Sequence, residues 1–117
     1  MRYLILFVLA STLLIESDCA NAHAFLDHAS PRVGTAVSTA PREVTLVFTQ
    51  KLESAFSGIK VTNAAGQRVD TGGTRVNGST MSVSLRGGGT GTYRVDWKVL
   101  SVDTHTTQGS FTFRVGQ

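Results

Sequence analysis

The chain has 117 residues, with 11 Lys and Arg against 8 Asp and Glu and a formal net charge of +3. This length allows one domain with one core and leaves little room for a second. The basic residues are scattered rather than grouped in runs, which argues against a nucleic-acid site. A mildly basic chain fits a protein that meets anionic membranes or acidic partners.

The first 22 residues have the composition of a secretory signal peptide. Arg2 supplies a positive charge, residues 3–15 are almost wholly apolar, and Ala20-Asn21-Ala22 forms the small-residue pattern that precedes a cleavage site. The apolar run is too short to span a bilayer comfortably, so we expect cleavage after Ala22 rather than a retained anchor. The predicted domain is then residues 23–117, located in the periplasm with no stable membrane anchor.

Cys19 is expected to leave with the signal peptide, because charged and polar residues precede it where a lipidation site needs small apolar ones. Removing residues 1–22 leaves 95 residues without cysteine and changes the formal charge from +3 to +4. An exported chain of this kind is stabilised by packing rather than by a disulfide.

Apolar residues alternate with period two after residue 22, which is typical of strands with one buried face. Two further strands, one near Phe25–Ala29 and a weak one near Gln67–Val69, join five clear runs at 44–49, 59–62, 81–85, 93–99 and 111–115. Gly72-Gly73 and Asn77-Gly78 are interpreted as turns, the second as a hairpin. The pattern predicts an all-β, seven-stranded Greek-key sandwich or barrel, immunoglobulin-like in outline and without its disulfide.

Two of the three histidines are placed where a metal ion would use them. Cleavage after Ala22 makes His23 the first residue, and its α-amine and ring Nδ1 can then close a chelate ring on one metal. Asp103 and His105 are two residues apart, so an extended segment projects both side chains to the same side. Nitrogen and oxygen donors without thiolate suit Cu(II), although Zn(II) can occupy the same set. His28 is interpreted as an exposed residue of the first strand.

The residues around these positions resemble the CopC family of periplasmic copper-resistance proteins. The resemblance covers residues 23–115, and it is carried by the segments His23-Ala24-Phe25-Leu26, Ser30-Pro31-Arg32-Val33-Gly34, Val47-Phe48-Thr49-Gln50-Lys51-Leu52, Phe56-Ser57-Gly58, Gly91-Thr92-Tyr93-Arg94-Val95-Asp96-Trp97, Ser101-Val102-Asp103-Thr104-His105 and Gly109-Ser110-Phe111-Thr112-Phe113.

The resemblance implies a β-barrel-like sandwich that holds one Cu(II) ion per chain through His23, Asp103 and His105. It also implies a carrier or buffer of periplasmic copper, often beside a CopD-type inner-membrane copper transporter, and not an enzyme. We expect a monomer, since the surface pattern gives no reason for a larger assembly.

Two positions depart from patterns found in the family. Some members have a glutamate in the segment that here contains Gln50, and an amide is a poorer Cu(II) ligand than a carboxylate, so we expect Gln50 at most beside the ligands. Some members also have a methionine-rich loop for Cu(I). Met81 is the one methionine after residue 22 and lies in a core pattern, so no Cu(I) site is predicted.

Two other functions fit parts of the pattern. A copper ion held by an N-terminal histidine resembles the histidine brace of lytic polysaccharide monooxygenases, but 95 residues leave little room for a polymer-binding surface, and Asp103 would fill the position that oxygen needs. A metal-free immunoglobulin-like interaction module would need an exposed edge strand or apolar patch. Trp97 is assigned to the core. It lies six residues before Asp103, so it could also enclose one side of the metal site.

Overall fold

The computed structural model describes residues 24–87 and 89–116. Eight strands form two four-stranded sheets, with the order β1-β3-β6-β5 in one and β2-β8-β7-β4 in the other. No helix in these ranges is long and apolar enough to cross a bilayer. The strands are β1 Leu26–Ser30, β2 Ala36–Val37, β3 Glu43–Phe48, β4 Gly58–Thr62, β5 Asp70–Asn77, β6 Thr80–Leu85, β7 Gly91–Leu100 and β8 Thr106–Val115.

The strand order is that of an immunoglobulin-like sandwich. Strands β1, β3, β6 and β5 correspond to A, B, E and D of that fold, and β4, β7 and β8 correspond to C, F and G. The predicted fold class is therefore confirmed. The predicted count of seven strands missed β2, whose two residues pair in parallel with β8 and are too few to show an alternating pattern.

The core is apolar and contains one buried tyrosine, Tyr93, in the described residues. Tyr93 is 1% exposed, and its hydroxyl donates a hydrogen bond to the carbonyl oxygen of Gly89 at 2.7 Å. Its ring stacks on Phe113 with centroids 5.3 Å apart. A tyrosine near the start of strand F that bonds back to the preceding backbone is the tyrosine corner of immunoglobulin-like sandwiches. This bond ties the start of β7 to the loop before it, and the two sheets are joined by packing of the apolar core.

Strand β5 differs from the prediction. The expected weak strand at 67–69 is only an isolated bridge between Arg68 and Thr62. The predicted turn at Gly72-Gly73 lies instead inside β5, where both glycines have positive φ at a register shift between Thr71 and Arg75. The glycines form a bulge in an edge strand. Because β5 has no buried residue and five of its eight residues are exposed, its sequence has no apolar alternation to detect.

The predicted hairpin joins β5 to β6, one residue later than expected. Asn77 pairs with Thr80, so the two turn residues are Gly78 and Ser79. Gly78 has φ 65°, and Ser79 is not among the residues with positive φ. Positive φ at the first turn residue alone is the pattern of a type II′ turn, in which glycine is preferred at that place.

Gly109→Ala is expected to destabilise the fold through Trp97. A Cβ atom at position 109 would lie 2.6 Å from Cζ2 of Trp97, so the ring must move. We expect a loss of about 1–3 kcal/mol in the free energy of unfolding, measured by urea denaturation. The control is Gly87→Ala, which meets nothing within 4 Å and should change stability by less than about 0.5 kcal/mol. Equal losses in the two variants would contradict this packing.

Candidate metal centre

Asp103 and His105 lie in the loop that connects β7 to β8 at one end of the sandwich. The loop is closed by a hydrogen bond from the backbone N–H of Ser101 to the carbonyl oxygen of His105, at 2.9 Å. Thr104 has φ 73°, so the segment is a tight turn and not the extended segment that would project both side chains to one side. The side chains nevertheless meet, with Nδ1 of His105 3.4 Å from Oδ1 of Asp103. The tight turn thus brings the side chains of Asp103 and His105 together, as an extended segment would also have done.

Ser101 contacts both residues of this pair. It is fully buried, and it is the one polar side chain in the buried set of the described residues. Its hydroxyl donates a hydrogen bond to Oδ1 of Asp103 and also lies 3.2 Å from the carbonyl oxygen of His105. The bond from Ser101, followed by contacts with His105, holds the pKa of Asp103 below its ordinary value. Asp103 is therefore ionised at neutral pH and can accept a metal without releasing a proton.

Sequence analysis did not identify the role of Ser101, although its position contains a signal. Val95 and Val99 of strand β7 are fully buried. The same alternation leads to position 101, where a serine replaces the expected apolar residue. A buried hydroxyl needs a partner, and the nearest candidate along the chain is the carboxylate two residues later.

The start of the described chain is fixed beside the same loop. Ala24 is fully buried, and its carbonyl oxygen accepts a 2.7 Å hydrogen bond from the hydroxyl of Thr107. The backbone N–H of Phe25 donates to Oγ1 of Thr49, and the carbonyl oxygen of Phe25 accepts from the N–H of Thr49, both at 2.9 Å. These bonds place residue 24 next to the strand that begins directly after His105. His23 itself lies outside the described residues.

The segment that carries Gln50 connects the N-terminal segment to the Asp103 loop. Thr49 bonds to Phe25, and the carbonyl oxygen of Lys51 accepts a 3.0 Å hydrogen bond from the N–H of Val102. Gln50 lies between these two attachment points and is half-buried. Gln50 therefore lies in the segment that joins the N-terminal segment to the Asp103 loop.

Trp97 contacts a core residue, and His28 contacts a neighbouring surface residue. Trp97 is half-buried and packs edge-on against Phe48, with ring centroids 5.0 Å apart. His28 lies in β1 with 64% of its side chain exposed, and its Nδ1 is 3.1 Å from Oδ2 of Asp27. The interpretation of His28 as an exposed strand residue is confirmed. Between residues 24 and 116, apart from residue 88, no group of three or more His, Cys, Asp and Glu is placed to hold a metal.

Comparison with known proteins adds a family. The CopC domain model matches residues 26–116. Protein YobA of Escherichia coli K12 is 36% identical over 117 residues, which is 94% of this chain and 90% of that protein. The crystal structure of CopC from Methylosinus trichosporium OB3b superposes with a TM-score of 0.74 and 30% identity, over 80% of this chain and 93% of that one.

A second solved structure is described as a methionine-rich copper-resistance protein. This is PcoC from Escherichia coli, with a TM-score of 0.69, 32% identity, and coverage of 80% of this chain and 98% of that chain. None of these proteins is named for a catalysed reaction, in agreement with the prediction of a non-enzymatic chain. The match over residues 26–116, together with the shared sandwich, shows that this chain belongs to the CopC domain family.

Proposed function

We propose that the chain, once cleaved after Ala22, is a periplasmic carrier or buffer that binds one Cu(II) ion. The ligands are the α-amine and ring Nδ1 of His23, the imidazole of His105 and the carboxylate of Asp103. The main support is the juxtaposition of two segments that are far apart in sequence. Thr107 lies two residues after His105, which is paired with Asp103, and it bonds to Ala24, the residue that follows His23.

Covalent geometry limits how far His23 can lie from this loop. Consecutive Cα atoms are about 3.8 Å apart across a trans peptide. Ala24 is bonded to Thr107 of β8, and Phe25, the next residue, is bonded to Thr49. A free amine at position 23 would therefore lie one residue from Ala24, whose carbonyl oxygen is bound by Thr107, two residues after His105. Three nitrogen donors and one oxygen donor would then be available without a rearrangement of the described chain.

The donor set favours Cu(II) over other metal ions. Amine, imidazole and carboxylate ligands bind Cu(II) more tightly than Zn(II), following the usual affinity order of divalent metals. Cu(I) prefers thioether and thiolate ligands. Met81 is fully buried in the core, and no other methionine follows residue 22. A methionine-based Cu(I) site like the one suggested by the description of PcoC therefore has no ligands here.

The family membership extends the proposal to copper homeostasis and resistance. We propose that the chain acts as a monomer and exchanges copper with a CopD-type inner-membrane transporter. A histidine-brace enzyme is the alternative, and it needs an open coordination position for oxygen. The carboxylate of Asp103, held beside His105 by Ser101, is placed to fill that position.

The first test concerns the amine of His23. A chain that begins at His23 is compared with one that carries a single extra alanine before it, by competitive Cu(II) titration at neutral pH. The extra residue turns the amine into a peptide nitrogen and removes half of the chelate, so affinity should fall by at least about a hundredfold, or 2.7 kcal/mol. Equal affinities would exclude the N-terminus from the site.

The second test separates the proposed ligands from the remaining histidine. His105→Ala and Asp103→Asn should each weaken Cu(II) binding, the former by at least about tenfold because a strong nitrogen donor is lost. His28→Ala is the matched control and should leave affinity unchanged, since His28 lies exposed in β1 beside Asp27. Loss of affinity in the His28 variant, with binding retained in the His105 variant, would refute the ligand assignment.

The third test is the pH dependence of copper affinity. Free imidazole titrates near pH 6.5 and an α-amine near pH 8, so protons compete with copper for all three nitrogens in acid. The lowered pKa of Asp103 keeps the carboxylate out of this competition at neutral pH. Affinity should therefore fall with decreasing pH, with a slope that steepens below about pH 6. A flat profile from pH 5 to pH 8 would contradict histidine ligation.

A further inference from the structure

A basic face lies on the outer side of the sheet that ends at the Asp103 loop. The register places Lys60 of β4 opposite Asp96 of β7, and Lys98 opposite Gly58. Asp96 accepts a hydrogen bond from Nε of Arg94 at 3.0 Å, and this pair neutralises both charges. In the described residues neither Lys60 nor Lys98 forms an ion pair, so the two amines leave this face with uncompensated positive charge.

The face is concave. A recess of about 500 Å³ is bordered by Lys60 and Lys98 on one side and by Gln108 and Ser110 on the other. Glycines at 58 and 109 line it, and they contribute no side chain that would fill it. The hydroxyl and amide groups around the recess can donate hydrogen bonds, so the whole surface offers positive charge and polar donors to an anion.

An exposed aromatic ring lies in the short turn that precedes β4, the strand that carries Lys60. Phe56 is 70% exposed, the highest value among the exposed large apolar residues of the described chain. It ends the short 3-10 turn Ser54–Phe56, two residues before Gly58. The turn is attached to β7 by a 3.1 Å hydrogen bond from the N–H of Leu100 to the hydroxyl of Ser57. Val102, in the Asp103 loop, is a further exposed apolar residue at 48%.

We infer that this face docks an acidic polypeptide segment of a partner protein. Carboxylates of the partner lie between Lys60 and Lys98, and an apolar partner side chain packs on Phe56. Interfaces combine an aromatic anchor with complementary charges in this way, and the charges set orientation and association rate. The inference goes beyond copper binding and does not depend on it, because none of these residues is a proposed ligand.

The shape and the charge pattern favour a polypeptide over an anionic membrane. A bilayer presents a broad surface that meets protruding groups, whereas a recess accepts a protruding chain. The neutral Arg94–Asp96 pair also lies in the middle of the face, where it interrupts the positive charge that a uniform layer of phosphate groups would contact. A polypeptide can place its carboxylates beside the lysines and a polar group beside Asp96.

The test uses the copper-free processed chain and a capped peptide of six glutamates and one leucine. At low ionic strength, an NMR titration of the ¹⁵N-labelled chain should shift the amides of residues 56–60, 96–98 and 108–110. Lys60→Gln combined with Lys98→Gln should weaken peptide binding by about tenfold, because two charge pairs are lost. The matched control, Arg42→Gln with Arg86→Gln, removes the same charge next to the other sheet and should leave binding nearly unchanged.

Several results would overturn the inference. Absence of binding would do so, and so would equal weakening by the two double variants, because only net charge would then matter. Equal binding of a matched glutamine peptide would exclude recognition of carboxylates. Vesicles of phosphatidylglycerol that bind the chain through the same lysines, with no response to the glutamate peptide, would assign the face to a membrane instead. Phe56→Ser should weaken the glutamate–leucine peptide but not a peptide of glutamates alone.

Discussion

The proposed metal site depends on the hydrogen bond between Thr107 and Ala24. The groups involved are 83 positions apart in sequence, and a 2.7 Å bond holds the start of the domain beside the strand that follows His105. Because Ala24 is fully buried, a different path for this segment would expose an apolar side chain and leave a buried carbonyl group without its partner. The segment that begins with Ala24 is thus positioned by bonds and burial within the fold, without a metal.

The Asp103 loop is held by hydrogen bonds that involve Ser101. Ser101 ends the inward-facing pattern of β7 with a buried hydroxyl, and its bond to Asp103 satisfies that hydroxyl while it orients the carboxylate. The positive φ of Thr104 is unfavourable for a β-branched residue. The closing bond from Ser101 to His105 offsets that cost. A carboxylate that is already ionised and oriented needs little reorganisation when it binds a cation, which would suit the proposed exchange of copper.

The sequence predicted most of the fold because the buried strands alternate clearly. The runs around Val44, Val83, Val95 and Phe113 each have one fully apolar face, and the immunoglobulin-like class follows from their number and spacing. β5 and β2 escaped detection because exposed edge strands have no apolar face to mark them. The Gly72-Gly73 pair was interpreted as a turn, although positive φ values fit a bulge equally well.

The candidate site was predicted in part. The spacing of Asp103 and His105 suggested a shared face, and the structure brings their side chains together through a tight turn rather than an extended segment. Position 101 and the attachment of Ala24 depend on contacts between distant segments, which no local pattern contains. The basic recess could not be predicted from the sequence, because Lys60 and Lys98 become neighbours only through the register of β4 and β7.

The central claim is that three nitrogens from histidine residues and one oxygen hold Cu(II). The direct measurement is electron paramagnetic resonance of the Cu(II)-loaded processed chain, prepared once with natural histidine and once with histidine labelled uniformly with ¹⁵N. The account predicts that the couplings of all three equatorial nitrogens change with the label, since the amine and ring of His23 and the ring of His105 all belong to histidine. Couplings from fewer histidine nitrogens, or an equatorial nitrogen that the label does not affect, would contradict it.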